Sequence, residues 1–384
     1  MKKLIALLTL TVFMFSMVAC SSDDHDHQEV EVATDTSVEA DTQVSVEEEE
    51  AQVLVEDYYP VTIVDEAGNE VIIESKPVNV AIAGIPPFPS YFIQFTNDTS
   101  LLGAIGANAF NFPVWIERVF PDFQEIPTVG MGPFYEVEDI LATEPDLIIC
   151  ASAHEENYLI FLESGIPTIG LDSGYAGTNT LEATNGWYDV LGQIYDMQEK
   201  ADALKANSNR ISDLLDEKTA TIAEEDKLYG LMMPDYSESI IEVSNDDYYG
   251  GFWLEKAGIG NVAKEVVGWE SNMEEVIVMN PDIIFLSAFS EYTATDMLND
   301  SAVEGHTWSV TSAGENGQIY KFPVGIFNWY ALSPDAPITS LWVACNAYPE
   351  VFTDIDLAQE VKLHYSLLGI DLTDDEIENI LIQH

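Results

Sequence analysis

One short phrase occurs twice in this chain, and it narrows the available folds to a single class. Residues 138–149 read Glu-Asp-Ile-Leu-Ala-Thr-Glu-Pro-Asp-Leu-Ile-Ile, and residues 274–285 read Glu-Glu-Val-Ile-Val-Met-Asn-Pro-Asp-Ile-Ile-Phe. Each copy opens acidic, runs through a short amphipathic stretch, breaks at Pro-Asp and ends in an apolar, β-branched run. Proline cannot continue a helix, and the closing run has the composition of a buried strand, so the phrase spells helix, stop, strand. Two copies predict two α/β lobes of one design. Paired lobes leave a cleft between them, and each lobe opens its helix with a surface carboxylate, Glu138 or Glu274.

The N-terminal end points to export. Lys2 and Lys3 precede the apolar stretch Leu4–Val18, which is too short to span a membrane and reads as a signal peptide over 1–19. Met17-Val18-Ala19-Cys20 is similar to a bacterial lipobox, which makes Cys20 the expected site of lipidation. Residues 20–57 are acidic, lack Lys and Arg and carry no helical period, so they read as an extended tether. His25 and His27 within it read as a solvated leader, because ordering a floppy segment opposes chelation. The remaining residues, roughly 325, suit two lobes of ordinary domain size. Net charge is −55, with 13 Lys and Arg against 68 Asp and Glu. No basic patch is available to displace counterions from a phosphate backbone, so nucleic acid is excluded as a partner. Cys150 and Cys345 both lie in apolar stretches and read as small buried hydrophobes.

Along the folded part, Tyr59–Asp65 and Val71–Ile73 flank a glycine turn as a hairpin, and Val78–Gly84 is the first buried strand. The proline-rich stretch Ile85–Tyr91 reads as a stiff aromatic loop beyond that strand. Strands at 147–150 and 167–171 enclose a helix at 155–163. Apolar positions at three- and four-residue steps from Thr180 to Ala223 then predict one helix, crossing from lobe to lobe. Strands at 228–233, 283–286 and 319–322 alternate with helices at 252–257 and 273–279. Ser333-Pro334 reads as a helix start, and Thr373-Asp374-Asp375-Glu376 as a capping box. The expected domains are a signal peptide 1–19, a tether 20–57, a first lobe 58–178, an interlobe helix 179–224 and a second lobe 225–384.

In this order the segments resemble the iron–siderophore, haem and cobalamin class of ABC-transporter substrate-binding proteins, the helical-backbone class III. The resemblance covers nearly all of the chain from Tyr59 onward. It rests on Asp65–Val71, Pro77–Ala81, the two Pro-Asp units, Phe252–Gly258 with Asn261-Val262-Ala263, and Gly317–Tyr320. Leu341–Ala344, Tyr348-Pro349-Glu350 and Asp371–Glu376 complete it. It implies two Rossmann-like lobes joined by a rigid helix, with a ligand cleft between them. It also implies that Glu138 and Glu274 dock onto arginines of a membrane permease, which works with its ATPase. Taken alone, an acid at either position simply complements a helix dipole, worth about 0.3–1 kcal/mol.

Ligands of open α/β sheets sit beyond strand ends. The candidate contacts there are Phe88, Ser90, Tyr91, Met131, Phe134, Tyr135 and His154 in the first lobe. In the second they are Tyr248, Tyr249, Trp253, Phe289, Tyr292, Phe327, Asn328 and Trp329. A single aromatic ordinarily belongs to the core; these are set apart by their Gly- and Pro-bearing loops after strands. Relatives often carry Ser-Thr-Glu after the first strand, where this chain has Phe88-Pro89-Ser90-Tyr91. Arg118 and Arg210 both fall on helices, so a base-poor aromatic cleft favours a metal chelate of low negative charge over a bare oxyanion. His154 is a candidate axial ligand to a bound chelate, and no resident metal or cofactor is expected. A monomer is expected, held at the outer face of the membrane by its lipid. The alternatives are an oxyanion (molybdate or tungstate) or free-ion receptor of the same fold, and a chelatase-like enzyme. No His-Glu-x-x-His, Gly-x-Ser-x-Gly or Walker loop supports an enzyme.

Overall fold

A computed structural model describes residues 58–110, 118–131, 135–172 and 179–382. The expected signal peptide, Cys20, the tether with His25 and His27, and Phe134 lie outside the described residues. The chain opens with the antiparallel hairpin β1 (Val61–Val64) and β2 (Glu70–Ile73). The strands β3 (Val80–Ala83), β4 (Leu102–Ala104), β5 (Leu147–Ala151) and β6 (Thr168–Leu171) form a parallel sheet in the order β4-β3-β5-β6.

The second half repeats this arrangement. Strand β7 (Tyr229–Met233) is followed by β8 (Ile241–Glu242), β9 (Gly260–Asn261), β10 (Glu270–Ser271), β11 (Ile283–Leu286) and β12 (Ile319–Lys321). Of these, β12-β11-β7-β9 make a second parallel sheet, while β8 and β10 pair antiparallel at its margin. In both sheets the first strand lies between the second and third, and the fourth flanks the third. The two Pro-Asp units each lead into the third strand, so the repeat in the sequence is a repeat in the topology.

Both sheets are covered on both faces, as parallel strands require. Val80, Ile82, Leu147 and Ile149 of the first sheet, with Met232, Ile283 and Phe285 of the second, join one central core with the helices Thr180–Tyr195, Gln198–Thr219 and Ala336–Ala347. The alternate side chains point outward. Ala81, Ala83, Ile148 and Cys150 pack under helices Val137–Leu141 and Glu155–Glu163. Leu231, Met233, Ile284 and Leu286 pack under helix Met273–Met279. The two acid-opened helices therefore occupy equivalent outer positions. The free thiol of Cys150 is fully buried and that of Cys345 half-buried, and neither forms a disulfide.

One long helix over 180–223 does not form. The segment is an antiparallel pair, Thr180–Tyr195 and Gln198–Thr219, broken at Asp196, which takes the left-handed conformation at φ 55°. Asp tolerates that conformation better than most residues. The turn is closed by packing: a Cβ at Gly192 would come within 2.9 Å of Ala201 Cβ, so only glycine lets the helices approach there. Asp189 accepts a hydrogen bond from Gln198 Nε2 at 2.9 Å and pairs with Lys205, and Asn185 Nδ2 donates to Asn209 at 3.2 Å further along. The 22-residue second helix makes the crossing. Near its start, Lys200 Nζ donates to Phe95 O at 2.7 Å; near its end, Lys218 Nζ donates to Val351 O at 3.2 Å.

Candidate ligand site

In the first lobe the chain leaves β3 at Gly84, whose φ of +76° a side chain would resist. A Cβ there would also touch the Tyr135 ring at 3.3 Å and His154 Cδ2 at 3.4 Å, so these two side chains stand over the end of β3. His154 is exposed at the start of helix Glu155–Glu163, Tyr135 is half-buried and stacked on Phe161 at 6.2 Å, and Met131 is exposed. The opening hairpin braces the neighbouring strand end. Asp65 accepts from Tyr158 OH at 2.5 Å and Gly170 N at 2.9 Å, and Glu66 accepts from Asp172 N. Burial pushes the Glu66 carboxyl up to about 7.

Among the cavities of the second lobe, two meet at a pair of aromatic rings. One, of about 370 Å³, is lined by Asn179, Asp216, Asp246, Tyr248, Phe252 and Glu255, among others. Asn179 is the cap of helix Thr180–Tyr195 and brings the first half of the chain to this wall. Asp216 is paired with Lys256 at 2.6 Å, and Asp246 accepts from Asn261 Nδ2 at 2.8 Å. The other cavity, of about 550 Å³, is lined by Glu242, Val267, Gly268, Trp269 and Glu270. The Tyr248 and Trp269 rings, 3.6 Å apart between centroids and tilted by 44°, join the two.

Several of the expected contacts are core instead. Ile85–Tyr91 is not an irregular loop: a helix runs Phe88–Thr96, with Pro87 as its cap and Pro89 in the first turn. Prolines fit there because first-turn N–H groups have no intrahelical partner. Phe88 and Tyr91 are fully buried against Trp187, at 5.2 and 4.8 Å between ring centroids. Tyr91 OH donates to Ser333 O at 2.6 Å, and Ser90 Oγ to Pro87 O at 2.6 Å. Trp253 is fully buried with Nε1 donating to Tyr330 O at 2.9 Å, and Trp329 is also at 0% exposure. Asn328 is buried too, bonded to Ser287 Oγ at 3.1 Å, and Phe327 is nearly covered. None of these offers surface to a ligand. The reason is common to them: the loop 322–335 folds inward against the first lobe and the crossing helices, making the junction of the lobes a core.

The rest stay near the surface. Tyr248 lines the smaller cavity. Tyr249 is half-buried, edge-on to Tyr330 at 5.0 Å. Phe289 is 41% exposed, and Tyr292 is half-buried against Tyr236 at 5.2 Å. Lys321 Nζ fixes their loop by donating to Ser290 O and Tyr292 O, each at 2.9 Å. Glu138 and Glu274 are both exposed, each the second residue of its helix. Both arginines are engaged elsewhere: Arg118 with Glu376 at 2.5 Å, and Arg210 with Glu360.

A family model described as periplasmic binding protein matches residues 96–324, from the end of the first helix through β12. The chain belongs to this family. Molybdate-binding protein MolA of Haemophilus influenzae is 21% identical over 325 residues, covering 79% of this chain and 87% of MolA. A periplasmic solute binding protein from Veillonella parvula shares the fold at TM-score 0.73 and 25% identity, over 83% of this chain and 96% of that one. Helicobacter pylori CeuE, solved with Ni(II) bound, aligns at TM-score 0.65 and 21% identity, over 83% and 98%. The resemblance to the class III binding proteins is thereby borne out. As a periplasmic binding protein the chain works outside the cytoplasm, takes a small-molecule ligand and serves an ABC permease. Sequence reading missed Trp269 and the carboxylates around it. A Trp beside a glycine, Gly268, was the available signal.

Proposed function

We propose that this protein is the lipid-anchored receptor of an ABC importer. It captures a metal chelate of low negative charge and passes it, unconverted, to the permease and its ATPase. One observation carries the choice of ligand: both arginines are held in ion pairs on helices, while carboxylates and aromatic rings line the cavities at the second lobe. A bare oxyanion needs guanidinium or converging N–H donors, and those walls would repel it. MolA is named for molybdate, but 21% identity speaks for a common fold, and the choice of ligand rests on the cavity walls. A planar or bulky chelate gains from the aromatic surface instead.

The test is a thermal-shift panel on the purified exported protein with haem, cobalamin, a ferric trihydroxamate and molybdate, read alongside visible absorption. At least one coloured chelate should raise Tm and remain bound through gel filtration. A shift with molybdate alone, in a colourless protein, overturns the reading.

A further inference from the structure

We infer that the ligand presents a positively charged organic group, an ammonium or guanidinium, to the indole of Trp269 between Glu242 and Glu270. This deepens the receptor reading and rests on it. Glu242 and Glu270 are direct partners in the β8–β10 ladder, so their side chains stand opposite each other on one face. Like charges in that position weaken a ladder, and this one is only two residues long in each strand. Both nevertheless line the larger cavity with Trp269. Neither carboxylate forms an ion pair among the described residues. Asp235 adds a third negative charge; burial first, then Asp235 and Glu270, raise the Glu242 carboxyl above its ordinary range.

A cation seated there relieves the repulsion and meets an aromatic face, which attracts cations through its quadrupole. The geometry separates the kinds of cation. Among the described residues no group of three His, Cys, Asp or Glu is placed to hold a metal ion. A larger, diffuse organic cation needs no such convergence; it needs a ring face and carboxylates at its rim. The neighbouring cavity continues the pattern through Tyr248, with Asp246 and Glu255 on its wall and its lysine, Lys256, already paired to Asp216. A chelate whose body lies along Tyr248 and Phe252 can therefore reach Trp269 with a charged arm.

The discriminating probes are ferrioxamine B, a ferric trihydroxamate ending in a protonated amine, its N-acetylated form, which lacks that charge, and molybdate. Affinities are measured by calorimetry and tryptophan quenching on the exported protein. The amine form should bind more tightly than the acetylated form by about tenfold or more, and the preference should shrink as salt rises. In the double variant Glu242→Gln, Glu270→Gln the preference should fall to near parity while the melting temperature holds or rises, since the ladder repulsion is gone. In Trp269→Ala both forms should weaken. Equal binding of the two forms, or a preference that survives the double variant, overturns the inference and leaves the receptor reading intact; tighter binding of molybdate than of either chelate overturns both. Binding of another chelate with none of the three bound overturns the inference too. Failure of every chelate takes the receptor reading down with it.

Discussion

Asp146 and Asp282 perform one task in two lobes. Asp146 accepts the backbone N–H of Asn79 at 3.0 Å and that of Val78 at 2.8 Å; Asp282 accepts that of Tyr229 at 3.0 Å. The main chain answers in kind, with Asp146 N donating to Asn79 O at 2.9 Å and Asp282 N to Tyr229 O at 2.7 Å. Each aspartate thus locks the start of the third strand to the start of the first, directly after a proline that keeps the helix from resuming. The repeated phrase is a clamp that sets strand register.

Asp146→Ala and Asp282→Ala should therefore cost similar amounts, about 1–3 kcal/mol each, because each leaves strand-head N–H groups without a charged acceptor. Urea denaturation of the two single variants checks this. A large cost at one site with none at the other would mean that the two units do not share a role.

Glu138 and Glu274 stand exposed at the same position of equivalent outer helices. Replacing both with Gln should reduce uptake into cells by about tenfold or more while leaving solution affinity for the chelate unchanged, as expected of charges that meet a basic partner. Loss of affinity in solution would assign them to the ligand site instead.

Trp253→Ala and Trp329→Ala should destabilise by about 3–5 kcal/mol, the range for emptying a buried aromatic site. Tyr248→Ala should leave stability nearly unchanged and weaken ligand binding. Chemical denaturation and ligand titration on the same three variants separate the two groups.

Asp335 is fully buried, with Trp329 Nε1 and its own Oδ2 each 2.7 Å from where a Cβ on Gly325 would lie. Burial pushes its carboxyl from 3.8 up to about 7. The folded state therefore holds the proton where the unfolded chain has released it. This contribution to stability is fully present below the unfolded value and is lost as pH rises through about 7. Asp335→Asn should match the parent at low pH and exceed it by a few kcal/mol near pH 8, since each tenfold difference in proton affinity between the folded and unfolded chain is worth about 1.4 kcal/mol. Melting temperatures across pH 4–9 give the answer; parallel curves for the two proteins would show that the carboxyl is ionised throughout.

The helix and strand at each Pro-Asp unit were legible because their determinants are local. Helix Met273–Met279 and strand Ile283–Leu286 fall where the pattern put them, as do helix Glu155–Glu163 and the capping box at Thr373. So was the class of fold, since duplicated units of this kind close into two sheets. Three things were set by contacts distant in sequence. The break at Asp196 depends on Gly192 meeting Ala201, which periodicity across the turn conceals. Phe88 and Tyr91 are buried because the segment around Ser333 folds back onto them. Trp269 lines a cavity beside Tyr248 because β8 pairs with β10 and brings the two rings together. Local sequence determined the elements and their repetition, because capping, proline and side-chain period act within a few residues. Which aromatics became core and which became cavity wall was decided by the tertiary structure, because burial depends on what packs against a residue and not on its neighbours in the chain.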